Sequence, residues 1–428
     1  MSFQLKSVKP KGLENVGATC YMNAVLQCFY HVKPLTSELI NYKLPPNYIQ
    51  QMPMTFAFQD VIKQLTLDKS NAGRPIMFKD VISVNPLFTG IQANDSKDLI
   101  LYFLEKIDNE LTMVVKYYSQ NYNYLNNITS LQVFKKEPEL QNIFNIFIKN
   151  HSSIFSNLFY GFMSQSIECT KCHQIVKNYQ IFNFIIFPIE NVYNSKKGNN
   201  NKNSNYKNPY DDKRSPASMP PAGMPSGGRN SYFTNNGTYG NFYRINPNNS
   251  RSYTNSYGYN SNNYSGKKSV TLIDCFKNEM EVIDFVGDNQ IYCNNCKKLS
   301  DAKGTNRIFT SPHVLILILN RGKANQFDCD VEFNEKLNIK EYVLEKNFSP
   351  TDYKLIWVIS HFGESNMSGH FIADCLHFDN KWYTFNDGIV SGPYNNYTKK
   401  GTPYILFYQN INDNWKREIN LFNLFIII

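Results

Sequence analysis

The order of periodicities along this chain predicts an α+β fold. Amphipathic helical patterns occupy the first part and short strand-like runs the last, without the regular alternation that marks a parallel α/β sheet. A second observation divides the chain. From Asn191 to Thr271 there is no leucine, and Asn, Ser, Gly, Tyr and Pro dominate. Such a stretch cannot bury enough apolar surface to offset chain entropy, so residues 191–268 read as a disordered, low-complexity insert. The third is composition. Hydrophobic residues make up 42% and aromatics 15%, enough for a sizeable core packed largely by Phe and Tyr.

Taken in order, Tyr21–Val32 is predicted to be a helix, because Tyr21, Val25, Leu26 and Phe29 recur at spacings of three and four. Ser96–Leu111 is a second, with Leu99, Phe103, Leu104 and Ile107 on one stripe and Asp95 placed as its N-cap. Ile181–Ile189 is strand-like. Beyond the insert come Val314–Leu319, Leu355–Ser360, His370–His377, Trp382–Phe385 and Tyr404–Tyr408, separated by turn-rich pieces. No internal repeat is present.

Several function classes fall away on composition. No run of about 18 apolar residues exists, so no membrane span is predicted. Leu421–Ile428 is apolar but too short to span. Met1–Lys11 lacks the apolar stretch of a secretory signal. With no export signal, nine cysteines, an odd number, argue against a disulfide scaffold and for catalysis or metal binding in a reducing compartment, cytosol or nucleus. The net charge of +9 suggests nucleic acid at first sight. Residues 191–268, however, hold eleven Lys/Arg against two Asp/Glu, so the rest of the chain is close to neutral and offers no basic binding face. A monomer is expected.

Two C-x₂-C knuckles, Cys169–Cys172 and Cys293–Cys296, supply four thiolates in two turns. Two such pairs fit a tetrahedral structural Zn²⁺, and a closed shell of four sulfurs leaves no position for substrate. The insert lies between them as a loop.

The candidate nucleophile is Cys20, where the glycine-containing stretch Gly12–Thr19 enters the first helix. A thiol at a helix N-terminus is expected to have a lowered pKa. Cys28, further along that helix, reads as a buried structural thiol. A catalytic cysteine needs a base, and His370 stands after a Gly/Ser/Asn-containing loop at the start of a strand. A hairpin through Phe378–Lys381 would bring Asn386 or Asp387 beside it, where a side-chain oxygen could fix the imidazole tautomer.

These residues resemble the signatures of ubiquitin-specific proteases (ubiquitin carboxyl-terminal hydrolases), papain-like cysteine proteases. Gly12–Gln27 is similar to their Cys box and Ser368–Val390 to their His box. Asn94–Leu99, Leu158–Cys172, Pro312–Arg321 and Tyr404–Tyr408 are similar to their intermediate landmarks in the same order. The resemblance implies a hand-like architecture. Residues 1–150 would form a helical thumb with the cysteine, 151–190 and 269–311 zinc-binding fingers, 312–408 a β palm with the histidine, and 409–428 a C-terminal tail. It implies Cys20 as nucleophile, His370 as base and then acid, Asn386 in the third position with adjacent Asp387 as a further candidate, and Asn15 in the oxyanion hole. Asp95 would bind the ubiquitin tail. The implied partners are ubiquitin and ubiquitinated proteins, with a ubiquitin-like modifier or an inactive ubiquitin-binding scaffold as alternatives. The chain departs from the pattern at Asn94, Asp98, Gly322, Phe371 and Asp374.

Overall fold

The computed structural model describes residues 5–43, 50–119, 138–200, 268–322, 327–347, 349–365 and 368–411. The insert from 201 to 267 and the tail beyond 411 lie outside these residues.

The thumb opens on β1 (Gly12–Leu13) and α1 (Cys20–Tyr30), continues through α2 (Lys33–Leu39) and α3 (Pro53–Thr66), and returns on β2 (Ala72–Gly73). Strands β1 and β2 pair in parallel. Helices α4 (Ile76–Ile82), α5 (Ser96–Ser119), α6 (Pro138–Asn150) and α7 (Ile154–Phe159) complete it. Every residue of α1 is buried, which makes it a central helix rather than an amphipathic surface one. Phe29 shows what surrounds it: its ring lies 4.8 Å from Phe103 of α5, 5.3 Å from Phe159 of α7, 6.1 Å from Trp357 and 6.0 Å from Phe407. Helix α3 starts without a capping side chain of its own. Glu110 of α5 takes that place, accepting from the Met54 N–H at 3.0 Å and from the Thr55 N–H and hydroxyl at 2.7 Å each.

The chain then enters β3 (Gly161–Cys169), β4 (Ile175–Phe182), β5 (Ile185–Pro188) and α8 (Ile189–Asn200). Helix α8 corrects the expected start of the insert at Asn191. Ile189, Val192 and Tyr193 recur at helical spacing, and Val192 is buried in the core, so folded structure continues past the point where composition changes. Asn194–Gly266 is a separate unit, of which only the last turns of α8 are described. Beyond it come β6 (Ser269–Thr271), α9 (Leu272–Glu279), β7 (Ile283–Phe285), β8 (Ile291–Cys293), β9 (Lys298–Ser300) and β10 (Ala302–Thr310). The fingers are a four-stranded sheet in the order β4-β3-β10-β7, with the two-stranded β8-β9 ribbon beside it in sequence.

The palm is built from β11 (Val314–Asn320), β12 (Asp330–Glu332), β13 (Lys336–Asn338), β14 (Asp352–Ser365), β15 (Ser368–Leu376), β16 (Trp382–Asn386), β17 (Ile389–Tyr394) and β18 (Thr402–Asn410). Its main sheet runs β17-β16-β15-β14-β18-β11-β5, with β13 pairing β14 and β12 pairing β6 outside it. One face carries a core of Val192, Phe276, Leu317, Leu355 and Leu406; α1 packs on the sheet through Phe29, Trp357 and Phe407. Val314 to Leu319 are all buried, which is why their sequence is a continuous apolar run and not an alternation. The helices-then-strands reading is thus met.

Candidate active site

The loop before α1 is shaped by its own polar groups. Gly17 (φ 124°) and Ala18 (φ 46°) both lie at positive φ, a conformation unusual for alanine. Asn15 holds it: its Oδ1 accepts from the Gly17 N–H at 3.2 Å and the Thr19 N–H at 3.0 Å. Thr19 Oγ1 in turn accepts from the Val16 N–H at 3.0 Å. Cys20 follows as the first residue of α1, 5% exposed.

The backbone N–H of Phe371, the residue after His370, lies near enough to the Cys20 sulfur to favour its thiolate. Two residues 350 positions apart in sequence are thereby brought to one place. The expected low pKa is not what this surrounding produces. Burial pushes the thiol up, the Phe371 N–H works against it, and the charge of Asp387 pushes it up further. Backbone N–H groups at the helix start favour the thiolate, but desolvation outweighs them.

His370 lies on β15, and Asn386 ends β16. The two strands pair antiparallel, with Ala373 opposite Phe385, through the expected turn, where the His377 N–H reaches the Lys381 carbonyl at 2.8 Å. His370 Nε2 donates to Asn386 Oδ1 at 2.6 Å. An amide oxygen only accepts, so Nε2 carries the proton and Nδ1 is the basic nitrogen of the neutral ring.

Asp387 does not share that role. Its carboxylate accepts from Asn15 Nδ2 at 2.9 Å and from Asn23 Nδ2 at 2.7 Å, and its carbonyl accepts from the Leu13 N–H at 2.9 Å. The left-handed backbone at Asp387 (φ 49°) turns its side chain away from the imidazole and toward the cysteine loop. Gly12 makes the approach possible, because a Cβ there would stand 2.5 Å from the Asp387 carbonyl oxygen.

Asp95 caps α5 as expected, accepting from the Lys97 N–H at 2.8 Å, and its second oxygen accepts from the Tyr404 hydroxyl at 2.8 Å. Burial pushes its carboxyl above the ordinary range. Helix α5 and strand β18 are joined there.

Sequence reading missed Asn23 and His361. Asn23 also donates to the Leu13 and Glu14 carbonyls, each at 3.2 Å. The available signal was a polar residue three positions after Cys20, on a helix that is otherwise mostly apolar. His361 is buried on β14, its ring 4.8 Å from that of Phe371. A Cβ at Gly369 would come 2.2 Å from its Nε2, so only glycine fits before His370. No local pattern marks His361.

Away from this cleft, the four knuckle cysteines converge, with all sulfurs within 4.8 Å of one another. Cys169–Cys296 and Cys172–Cys293 are 3.9 and 3.6 Å apart. Four sulfurs tetrahedral about one ion at about 2.3 Å would be separated by about 3.8 Å, so the group fits a metal.

Comparison with known proteins decides the family. The family model described as "Ubiquitin carboxyl-terminal hydrolase" matches residues 11–408. The chain belongs to the ubiquitin carboxyl-terminal hydrolase family. Among similar members, ubiquitin carboxyl-terminal hydrolase Usp2 of Drosophila melanogaster is 23% identical over 408 residues, covering 93% of this chain and 34% of that protein. Ubiquitin carboxyl-terminal hydrolase 21 of Homo sapiens is 22% identical over 422 residues, covering 93% of this chain and 61% of that protein. The chain therefore spans only part of the length of these hydrolases. In structure it is similar to the SAGA DUB module of Ubp8, Sgf11, Sus1 and Sgf73 bound to monoubiquitin, with a TM-score of 0.57 at 19% identity over 96% of this chain and 71% of that one. The thumb, palm and fingers are thus the hydrolase family's fold.

Proposed function

We propose that the chain is a thiol deubiquitinase that cleaves the bond after ubiquitin's C-terminal glycine. The observation that carries this reading is the hydrogen bond by which Asn386 orients the His370 imidazole, on a strand whose next residue, Phe371, lies beside Cys20. His370 Nδ1 takes the Cys20 proton as the sulfur attacks the glycine carbonyl, and the resulting imidazolium returns it to the leaving amine. Water then hydrolyses the thioester with the same histidine as base. The amide of Asn15 has two hydrogens. One is committed to Asp387, and the other, with the Cys20 N–H, is assigned to the tetrahedral oxyanion. Asn386 orients the ring without adding a negative charge beside it. Asp95 is assigned to the basic residues of the ubiquitin tail. A zinc ion held by Cys169, Cys172, Cys293 and Cys296 would cross-link the two ends of the fingers and take no part in the reaction.

Hydrolysis of a ubiquitin C-terminal fluorogenic substrate tests the proposal. Turnover lost in Cys20→Ala supports it. A wild-type chain that binds ubiquitin without turnover would instead be a scaffold, and selective turnover of a ubiquitin-like probe would move the substrate class.

A further inference from the structure

Helix α1 and strand β15 carry the nucleophile and the base, and they run side by side. At one end Cys20 lies beside Phe371. Further along, burial and the neighbouring Cys28 push the Cys375 thiol up. At the far end His31, the C-cap of α1, meets His377, the residue after β15. From Cys20 to His31 the helix advances about 16 Å, and from Phe371 to His377 the strand advances about 20 Å. The two elements therefore keep pace from the site to the histidine pair.

The pair sits in a chain of three contacts. His31 Nδ1 is 2.7 Å from the Gln27 carbonyl oxygen, His31 Nε2 is 2.9 Å from His377 Nδ1, and His377 Nε2 is 2.9 Å from the Val8 carbonyl oxygen. Carbonyl oxygens only accept, so both outer nitrogens must carry hydrogen. Two neutral rings have then used their protons, and two lone pairs face each other at the centre. One additional proton turns that repulsion into a third hydrogen bond. A second would place two imidazolium ions in contact.

We propose that His31 and His377 form a proton-binding clamp: the pair takes up a single shared proton and so fixes the far ends of α1 and β15, keeping Cys20 in register with His370. The functional consequence rests on the deubiquitinase reading; the clamp itself does not. The rings around it suit a single positive charge. Tyr30, Phe378 and Phe385 lie 4.9 to 5.5 Å from His31, and Phe378 and Tyr383 lie 4.9 and 5.5 Å from His377. The titratable groups around the pair are Asp379 in the adjoining turn, Tyr383 on β16 and Tyr30 on α1, with Cys28 and Cys375 neighbours further along the same two elements. The N-terminal segment presents the Val8 carbonyl, with the flanking Lys9 exposed. Tyr383 donates to Asp379 at 2.9 Å, leaving that carboxylate as the nearby anion.

Burial pulls both imidazoles below their ordinary range, helped at His31 by the neighbouring ring. The sign follows. A histidine whose folded pKa is depressed holds fewer protons folded than unfolded, so its stabilisation is present above the ordinary imidazole range and is lost as pH falls. Once the pair has taken its one proton the loss slows but does not stop, because the unfolded chain binds two; the central hydrogen bond acts within the folded state, on the alignment of α1 and β15.

The test is a pH titration by NMR of the full chain labelled with ¹⁵N-histidine. The expected result is one shared step for His31 and His377, acid of the ordinary imidazole range, with the outer nitrogens protonated throughout. Independent titration of the two rings, or no titration before the chain unfolds, overturns the clamp. A second arm compares kcat of the wild type, His31→Asn and His377→Asn at one pH above and one pH below the shared step that the NMR titration finds. Relative to its value above the step, the wild type should retain about fivefold more activity below it than either variant, the factor that one net hydrogen bond contributes. Superimposable profiles would remove the positioning role. Absence of turnover at every pH would count against the deubiquitinase reading, while the NMR titration still decides the clamp.

Discussion

Two adjacent residues, Asn386 and Asp387, are divided between two tasks by one change in backbone sign. Asn386 accepts from His370, whereas Asp387, in the left-handed region, accepts from Asn15 and Asn23. Under the proposed mechanism, Asn15→Ala should lower kcat by about 10²–10³ with KM little changed. Asp387→Asn should move kcat in the same direction by less, because the Asn15 amide keeps one hydrogen for the oxyanion but loses its carboxylate acceptor. Steady-state kinetics checks both, and a rise in KM at constant kcat would contradict the assignment. Asp374 allows a pH prediction. Burial pushes its carboxyl from 3.8 up to about 6, against the hydroxyl of Thr384 at 2.5 Å and the ammonium of Lys400. A raised folded pKa means that the folded chain binds more protons, so this contribution is present below about pH 4 and is lost as pH rises through 6. Asp374→Asn should therefore be more stable than wild type near neutral pH, by up to about 3 kcal/mol, and equal to it near pH 4. Urea unfolding at the two pH values would show it.

At the scale of elements, buried polar groups reach across the thumb to finish helices that lack local caps. Glu110 does this for α3. Glu110→Gln replaces one accepting oxygen by a donor facing an N–H, and should cost about 1–3 kcal/mol in chemical denaturation. The fingers depend on a different tie. Cys169 ends β3 and Cys293 ends β8, so a metal at the four sulfurs would staple strands whose ends are 124 positions apart in sequence. One zinc per chain is expected by elemental analysis. Its removal by a strong chelator, or Cys296→Ser, should lower Tm, because a structural zinc's binding free energy contributes to folding. Unchanged Tm after complete removal would show that strand pairing alone holds the fingers.

For the whole molecule, the decisive arrangement is the insertion of α1 between the thumb helices and the palm sheet. Phe29 touches both sides, and the cysteine at the start of that helix is delivered to β15 by the same packing. Cys20→Ala should abolish hydrolysis without unfolding the chain, as followed by substrate turnover and circular dichroism. Loss of far-UV signal in that variant would instead reveal a structural thiol.

Much of this was legible in the chain itself. The spacing of Tyr21, Val25, Leu26 and Phe29 determined α1; the turn residues at Phe378–Lys381 determined the β15–β16 hairpin and so set Asn386 beside His370; the paired C-x₂-C spacings determined the sulfur cluster. Each of these follows from local geometry or from residue types with few chemical uses. Tertiary structure alone decided the rest. It raised the Cys20 thiol through burial, took Asp387 to Asn15 through a positive φ, brought His361 against Gly369, and carried α8 past the compositional boundary by burying Val192. The reason is physical: desolvation, and contacts between residues hundreds of positions apart, depend on how elements pack, and packing leaves no periodicity in the sequence.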